Sequence, residues 1–154
     1  MKVPGSTGQR RQNRNEAKGC VILADRHHGL TEGVRGLLET VFNTVVMVAD
    51  ERSLRETASR IEPELAVVDL SLSRADSIEW LAGLRRSCPD MKLIVISVHD
   101  EPSVARKAIQ SGADGVVLKR AIATDLLPAV DSVLAGQQYI PGKSDSAKPT
   151  PKSL

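Results

Sequence analysis

Aromatic residues are almost missing from this chain, which has one Trp, one Tyr and one Phe in 154 residues. A flavodoxin-like flavin binder holds its cofactor by stacking, and this sequence offers one Trp and one Tyr for the purpose. It also lacks a Gly-rich phosphate-cradling loop. Cysteine is scarce: Cys20 and Cys88 stand far apart, with no Cys-x-x-Cys or Cys/His spacing, so neither a disulfide framework nor a zinc site is indicated. Both are expected to be buried thiols that act as small apolar residues. No apolar run approaches the roughly 20 residues needed to cross a bilayer, and the N-terminus has no secretory core. The expectation is a cytoplasmic protein that makes no membrane contact. A chain of 154 residues with 41% hydrophobic content can bury one ordinary core.

Charge is divided unevenly along the chain. Residues 1–19 carry five basic residues and one acidic, residues 141–154 carry three and one, and the overall balance is +2. The ends therefore contribute +6 and residues 20–140 carry −4, an acidic domain between basic tails. That argues against direct DNA binding by this chain. The ends are rich in Gly, Pro, Ser, Asn and charge, which predicts disordered tails at 1–19 and 141–154 around one domain at 20–140. Arg10, Arg11 and Arg14 read as a solvated cluster, with an anionic partner as the alternative.

Between the tails, short β-rich runs alternate with longer amphipathic stretches. "CVILAD" (20–25), "TVVMVA" (44–49), "LAVVD" (65–69), "KLIVIS" (92–97) and "GVVL" (115–118) predict five strands. Their runs are continuously apolar, which suits a parallel sheet covered on both faces. Helical faces are predicted from Leu30, Val34, Leu37, Leu38 and Val41, and from Ile78, Leu81 and Leu84 with Trp80 as core packing. Asp76 and Asp100 occupy N-cap positions, Pro102 falls in a first turn, and Gly112 follows a helix end. The expected fold is a doubly wound α/β domain: five parallel strands in the flavodoxin-like order 2-1-3-4-5, with five helices.

Ligands of such folds gather beyond the carboxyl ends of the strands, where the order reverses. The first strand ends at Asp25, the third at Asp69 and the fourth at Ser97, and Lys119 follows the fifth. Strands one and three are neighbours at the reversal, so Asp25 is predicted beside Asp69, with Ser97 and Lys119 on the other side. A lone Asp there is a common turn residue and a lone Lys a common solvated one. All four together suit phosphoryl transfer to a carboxylate. Asp69 would attack phosphorus, Lys119 would balance charge, Ser97 would hydrogen-bond a phosphoryl oxygen, and Asp25 would help hold Mg²⁺ through water. His27, His28 and His99 lie near the same edge but are not read as metal ligands, since adjacent histidines do not face one another.

The segments "VILADRHHGLTEGVRGLLE", "LAVVDLSL", "LIVISVHDEPSVARKAIQSGADGVVLKRA" and "VLAGQQYI" resemble the receiver domain of bacterial response regulators. Within that family they resemble the LuxR/NarL-type receivers that precede a helix-turn-helix DNA-binding domain. The resemblance implies Asp69 as phosphoacceptor, Ser97 as switch hydroxyl and Lys119 as the family's lysine. It also implies a Mg²⁺ site made from Asp25, Asp69 and the Ser71 backbone carbonyl. A histidine kinase or phosphotransfer protein would supply the phosphoryl group. The face of helix four, strand five and helix five would serve output and homodimerisation.

Three positions depart from the family pattern. Arg26 stands where a second acid normally touches Mg²⁺, which predicts weakened metal binding; it either reaches toward Asp69 or turns to solvent. Val116 stands where the family commonly has a mobile Tyr or Phe, and it either extends the strand or marks an altered switch. Pro128 falls early in the fifth helix and is expected to dent or delay its first turns. Two functions remain open: a phosphorylatable switch, or a receiver-like docking module that works without phosphorylation. The chain is read either as a stand-alone receiver or as the receiver portion of a longer regulator.

Overall fold

The computed structural model describes residues 18–73 and 78–142. Its strands are β1 (Lys18–Ala24), β2 (Phe42–Val48), β3 (Leu65–Asp69), β4 (Lys92–Ser97) and β5 (Gly115–Leu118). The helices are α1 (His28–Glu39), α2 (Glu51–Ile61), α3 (Trp80–Ser87), α4 (Pro102–Gln110) and α5 (Ile122–Leu134). All strands pair in parallel in the order β2-β1-β3-β4-β5, as the sequence predicts.

Successive side chains of a strand point to opposite faces, so each continuous apolar run fills two cores. On one face Ile22, Ala66, Val68, Leu93 and Val95 pack beneath α2, α3 and α4 through Leu54, Leu81, Leu84 and Ala108. On the other, Leu23, Val67, Ile94 and Val117 pack beneath α1 and α5 through Val34, Leu38, Leu126 and Val130. Burying each such Leu or Ile is worth about 2 kcal/mol. The edge strand β2 is only half covered, and Asn43 and Thr44 are exposed. At the opposite edge the Val116 N–H donates to the Tyr139 carbonyl at 2.8 Å, and a parallel bridge joins Gly115 to Tyr139. The chain after α5 thereby covers β5's free hydrogen-bonding groups.

Trp80 packs in the core as expected, with its indole Nε1 unpartnered. Val34 and Leu38 are fully buried, Leu37 and Val41 pack against the same cluster, and the Leu30 side chain lies outside the description. Asp76 also lies outside the described residues, as do 1–17 and 143–154.

Several local expectations need correction. Asp100 does not cap α4: Glu101 holds the cap position without a side-chain bond, and Asp100 instead pairs with Arg120 at 3.0 Å. Pro102 does open α4. Pro128 lies inside α5, which begins at Ile122, so it does not delay the first turn; only the Thr124 carbonyl loses an N–H donor there. Cys20 and Cys88 are free but half-buried, not enclosed. Burial raises both thiol pKa values, and Glu64 adds to the effect at Cys20.

Beyond α4 the chain turns at Gly112, whose φ of 118° is costly for any residue with a Cβ. A Cβ there would stand 2.9 Å from the Arg85 Cβ. Gly112→Ala is expected to cost about 2 kcal/mol of stability, read as a lower urea midpoint at unchanged slope. Arg85 itself donates to the carbonyls of Cys88, Pro89 and Gly112, and pairs with Asp114 at 2.8 Å. It ties together the turns that feed β4 and β5. Among the described residues no helix is long and apolar enough to cross a membrane.

Candidate functional site

Three strands end in the same local device. Asp25 accepts a hydrogen bond from the His27 amide at 2.9 Å, Asp69 from the Ser71 amide at 2.8 Å, and Ser97 from the His99 amide at 2.9 Å. Each side chain captures the N–H two residues on, which ends the ladder and turns the chain. The apolar run thus delivers a polar side chain to the carboxyl edge and fixes it there.

Register does the rest. Ala24 pairs with Val68, placing Asp25 level with Asp69 across β1 and β3, the point where strand order reverses. Asp69 pairs with Ile96, so Ser97 lies one residue further on, opposite Leu118, and Lys119 follows. The Lys119 Nζ donates to Asp69 Oδ2 at 2.6 Å. Asp69 is 4% exposed, Asp25 7% and Ser97 1%.

Burial alone would raise the Asp69 pKa. The Lys119 hydrogen bond, the Ser71 amide and hydroxyl, and the Lys119 charge together outweigh it, so the pKa falls below the ordinary carboxylate value. Asp69 is therefore a buried, ionised carboxylate. Its oxygens are not equivalent: Oδ1 accepts from both the Ser71 amide and the Ser71 hydroxyl, at 2.8 and 2.7 Å, whereas among the described residues Oδ2 accepts from Lys119 alone. A carboxylate oxygen has two in-plane lone pairs, so Oδ1 is saturated and Oδ2 keeps one free.

Arg26 follows the first of its expected courses only in part, reaching the turn that would hold the metal without pairing with Asp69. Its guanidinium donates to the Ser71 carbonyl at 3.2 Å and forms no ion pair with Asp69 among the described residues. Arg26 and Ser71 lie in the neighbouring turns that follow β1 and β3, and on the Asp69 side of that edge Lys119 and Ser71 already donate to the carboxylate. Ser97 reaches the predicted edge, but its hydroxyl exchanges hydrogen bonds with the His99 backbone and not with Asp69. Val116 is 1% exposed and continues β5 into the α2–α4 core. His27 is closer to the centre than the sequence suggested: its ring and the carboxylates of Asp25 and Asp69 place ligand atoms within 4.8 Å of one another. The His27 Nδ1 is 3.7 Å from Asp25 Oδ1. Its position two residues past an acid that ends a strand was the available signal. His99 is exposed beside Glu101, and the side chain of His28 is outside the description.

Receiver domains bind Mg²⁺ at an acidic pocket of this kind, and hard oxygen donors suit that ion. As arranged, however, the donors do not fit it. Asp69 Oδ1 already accepts twice from Ser71, the Ser71 carbonyl accepts from Arg26, and the cation at position 26 stands where an acid would face the ion. Asp25 Oδ2 has only a long contact among the described residues, since the Thr31 hydroxyl lies 2.6 Å from the His27 carbonyl and 3.5 Å from Asp25 Oδ2.

The fold and site define a doubly wound α/β domain with a carboxylate–lysine centre at its topological switch point. The chain belongs to the response regulator receiver domain family, which it matches over residues 21–131. It is 30% identical over 128 residues to the transcriptional regulatory protein DegU of Brevibacillus brevis, across 82% of this chain and 54% of the relative. A crystal structure of a LuxR-family two-component response regulator from Aurantimonas superposes with a TM-score of 0.73 at 24% identity, covering 88% of this chain and 98% of that one. The isolated receiver of RcsB from Salmonella enterica, solved with the phosphomimetic BeF₃⁻, superposes at 0.71 with 25% identity, covering 80% and 93%. The relatives are regulators of the LuxR/NarL type. The chain spans about half the length of the curated relatives it matches.

Proposed function

We propose that this chain is the receiver of a two-component phosphorelay, accepting a phosphoryl group on Asp69 from a histidine kinase or phosphotransfer protein. The observation that carries this reading is the Asp69–Lys119 pair: a buried carboxylate kept ionised by an ammonium at 2.6 Å, with one oxygen still free to attack. Lys119 balances charge on the transferring group and Ser97 turns from His99 toward a phosphoryl oxygen. The RcsB receiver solved with a phosphomimetic supports the same use of this fold. Receiver domains are signalling modules and not turnover enzymes in the usual sense, so the domain acts as a self-catalysed phosphoacceptor.

The receiver spans 20–140 between tails at 1–19 and 141–154. It works in the cytoplasm, signals through α4, β5 and α5, and forms its homodimer on that face. Direct DNA contact is left to other chains or to a following domain of a longer regulator. Mg²⁺ binding by Asp25, Asp69 and the Ser71 carbonyl is weakened, because the ion must first displace Arg26. That same contact favours a second reading, a docking module that works without phosphorylation.

Intact-mass spectrometry after incubation with acetyl phosphate separates the two readings. A single phosphoryl adduct that is absent from Asp69→Asn is the expected result. An unmodified mass with the fold intact would favour the docking module.

A further inference from the structure

We infer that Arg26 is the receiver's built-in counter-cation: it binds the phosphoryl group on Asp69 in place of a divalent ion. This rests on the proposed role of Asp69 and deepens it, since it names what neutralises the transferred group.

Formal charge is the first argument. Asp25, Asp69, Arg26 and Lys119 sum to zero. An acid at position 26 accompanied by a divalent cation would contribute +1, and the guanidinium contributes the same +1 alone. The dianionic donor therefore meets a neutral centre without any added ion, whereas an acid at position 26 without metal would present it with −2. Each unit of charge matters because both carboxylates are buried, with Asp69 4% and Asp25 7% exposed.

Occupancy is the second. Two of the oxygens that a metal would use already accept from donors of this chain: Asp69 Oδ1 from Ser71 N and Oγ, and the Ser71 carbonyl from Arg26, whose positive charge stands beside them. The guanidinium is thereby held against the turn that fixes Asp69, by a single 3.2 Å bond to a neutral acceptor. A phosphoryl group is a stronger, charged acceptor that offers two oxygens to the guanidinium fork, so exchange of the Ser71 carbonyl for the phosphoryl group is downhill.

The step balances. Asp69 Oδ2, which retains a lone pair, forms the new O–P bond as the O–P bond to acetate breaks. Acetate departs with the electron pair, no proton is transferred and nothing is oxidised or reduced. Lys119 and Arg26 then flank the phosphoryl oxygens with two positive charges.

The test follows adduct formation from acetyl phosphate by intact mass in EDTA and in Mg²⁺, for wild type and Arg26→Asp, with binding of Mn²⁺ alone followed by EPR. The wild type is expected to form adduct at the same rate in both media, within about threefold, and to bind no Mn²⁺ at the site. Arg26→Asp is expected to lose about 100-fold in EDTA, to recover in Mg²⁺ and to gain Mn²⁺ binding. A wild-type adduct that needs Mg²⁺ as strictly as the variant's, or equal Mn²⁺ binding by both, overturns the role of Arg26 and leaves Asp69 as acceptor. No wild-type adduct in either medium overturns both.

Discussion

Lys119→Met is expected to slow phosphorylation of Asp69 by roughly 10²–10³-fold, the cost of removing one preorganised donor from a developing phosphoryl charge. The methylene stem stays, so packing changes little. What disappears is the 2.6 Å bond to Oδ2 and the positive charge behind it. Burial then acts on Asp69 against Ser71 alone, and the carboxyl pKa rises from its lowered position. The acid limb of the pH–rate profile should move to higher pH in the variant.

The sign of the linked stability follows. Because the folded-state pKa of Asp69 is depressed below its ordinary value of 3.8, its ionisation stabilises the fold above that pH. The increment fades as pH falls through the folded pKa. Urea titrations of wild type and Lys119→Met should differ most near neutral pH and converge in acid. An unchanged pH–rate profile in Lys119→Met would remove the lysine from the chemistry.

Arg85→Ala is expected to cost about 3 kcal/mol of stability, and to lower the melting temperature by roughly 10 °C, without touching the phosphoryl site. The guanidinium is a half-buried hub that serves the carbonyls of Cys88, Pro89, Met91 and Gly112 and the carboxylate of Asp114. Asp114 Oδ2 in turn accepts the Leu93 amide at 2.9 Å, at the start of β4. Truncation leaves several carbonyls and one carboxylate without their donor in a site water enters poorly, which is the costly direction of hydrogen-bond loss. Phosphorylation by acetyl phosphate below the transition should be unaltered, because Arg85 lies at the opposite end of the sheet. A melting temperature within 2 °C or so of wild type would mean that water replaces the guanidinium easily.

What the sequence disclosed and what it withheld divide along a physical line. β3, β4 and β5 appear at the predicted residues, and β1 and β2 begin two residues earlier than predicted, at Lys18 and Phe42. Burial on both faces forces a continuous apolar run, and that signal is written locally. The strand-end positions of Asp25, Asp69, Ser97 and Lys119 follow from the same runs plus the strand order.

The targets of long flexible side chains do not. Arg26 bonds the Ser71 carbonyl while Ser71 and Lys119 donate to Asp69, an arrangement visible only once the loops after β1, β3 and β5 are assembled. Arg85 is one of two basic residues at a helix end, yet it gathers acceptors from the two turns that precede β4 and β5. Asp100 reads as a cap, but Arg120 from the next loop outcompetes the α4 amides for it. Tyr139 gives no periodic signal, because a single bridge beside β5 is too short to have a period.

The most direct measurement is reductive trapping of the phosphorylated protein. Borohydride converts an aspartyl phosphate to homoserine, which peptide mapping locates by residue. The account predicts homoserine at position 69 alone, with and without Mg²⁺. Homoserine at Asp25, or none in a correctly folded protein treated with acetyl phosphate, would contradict it.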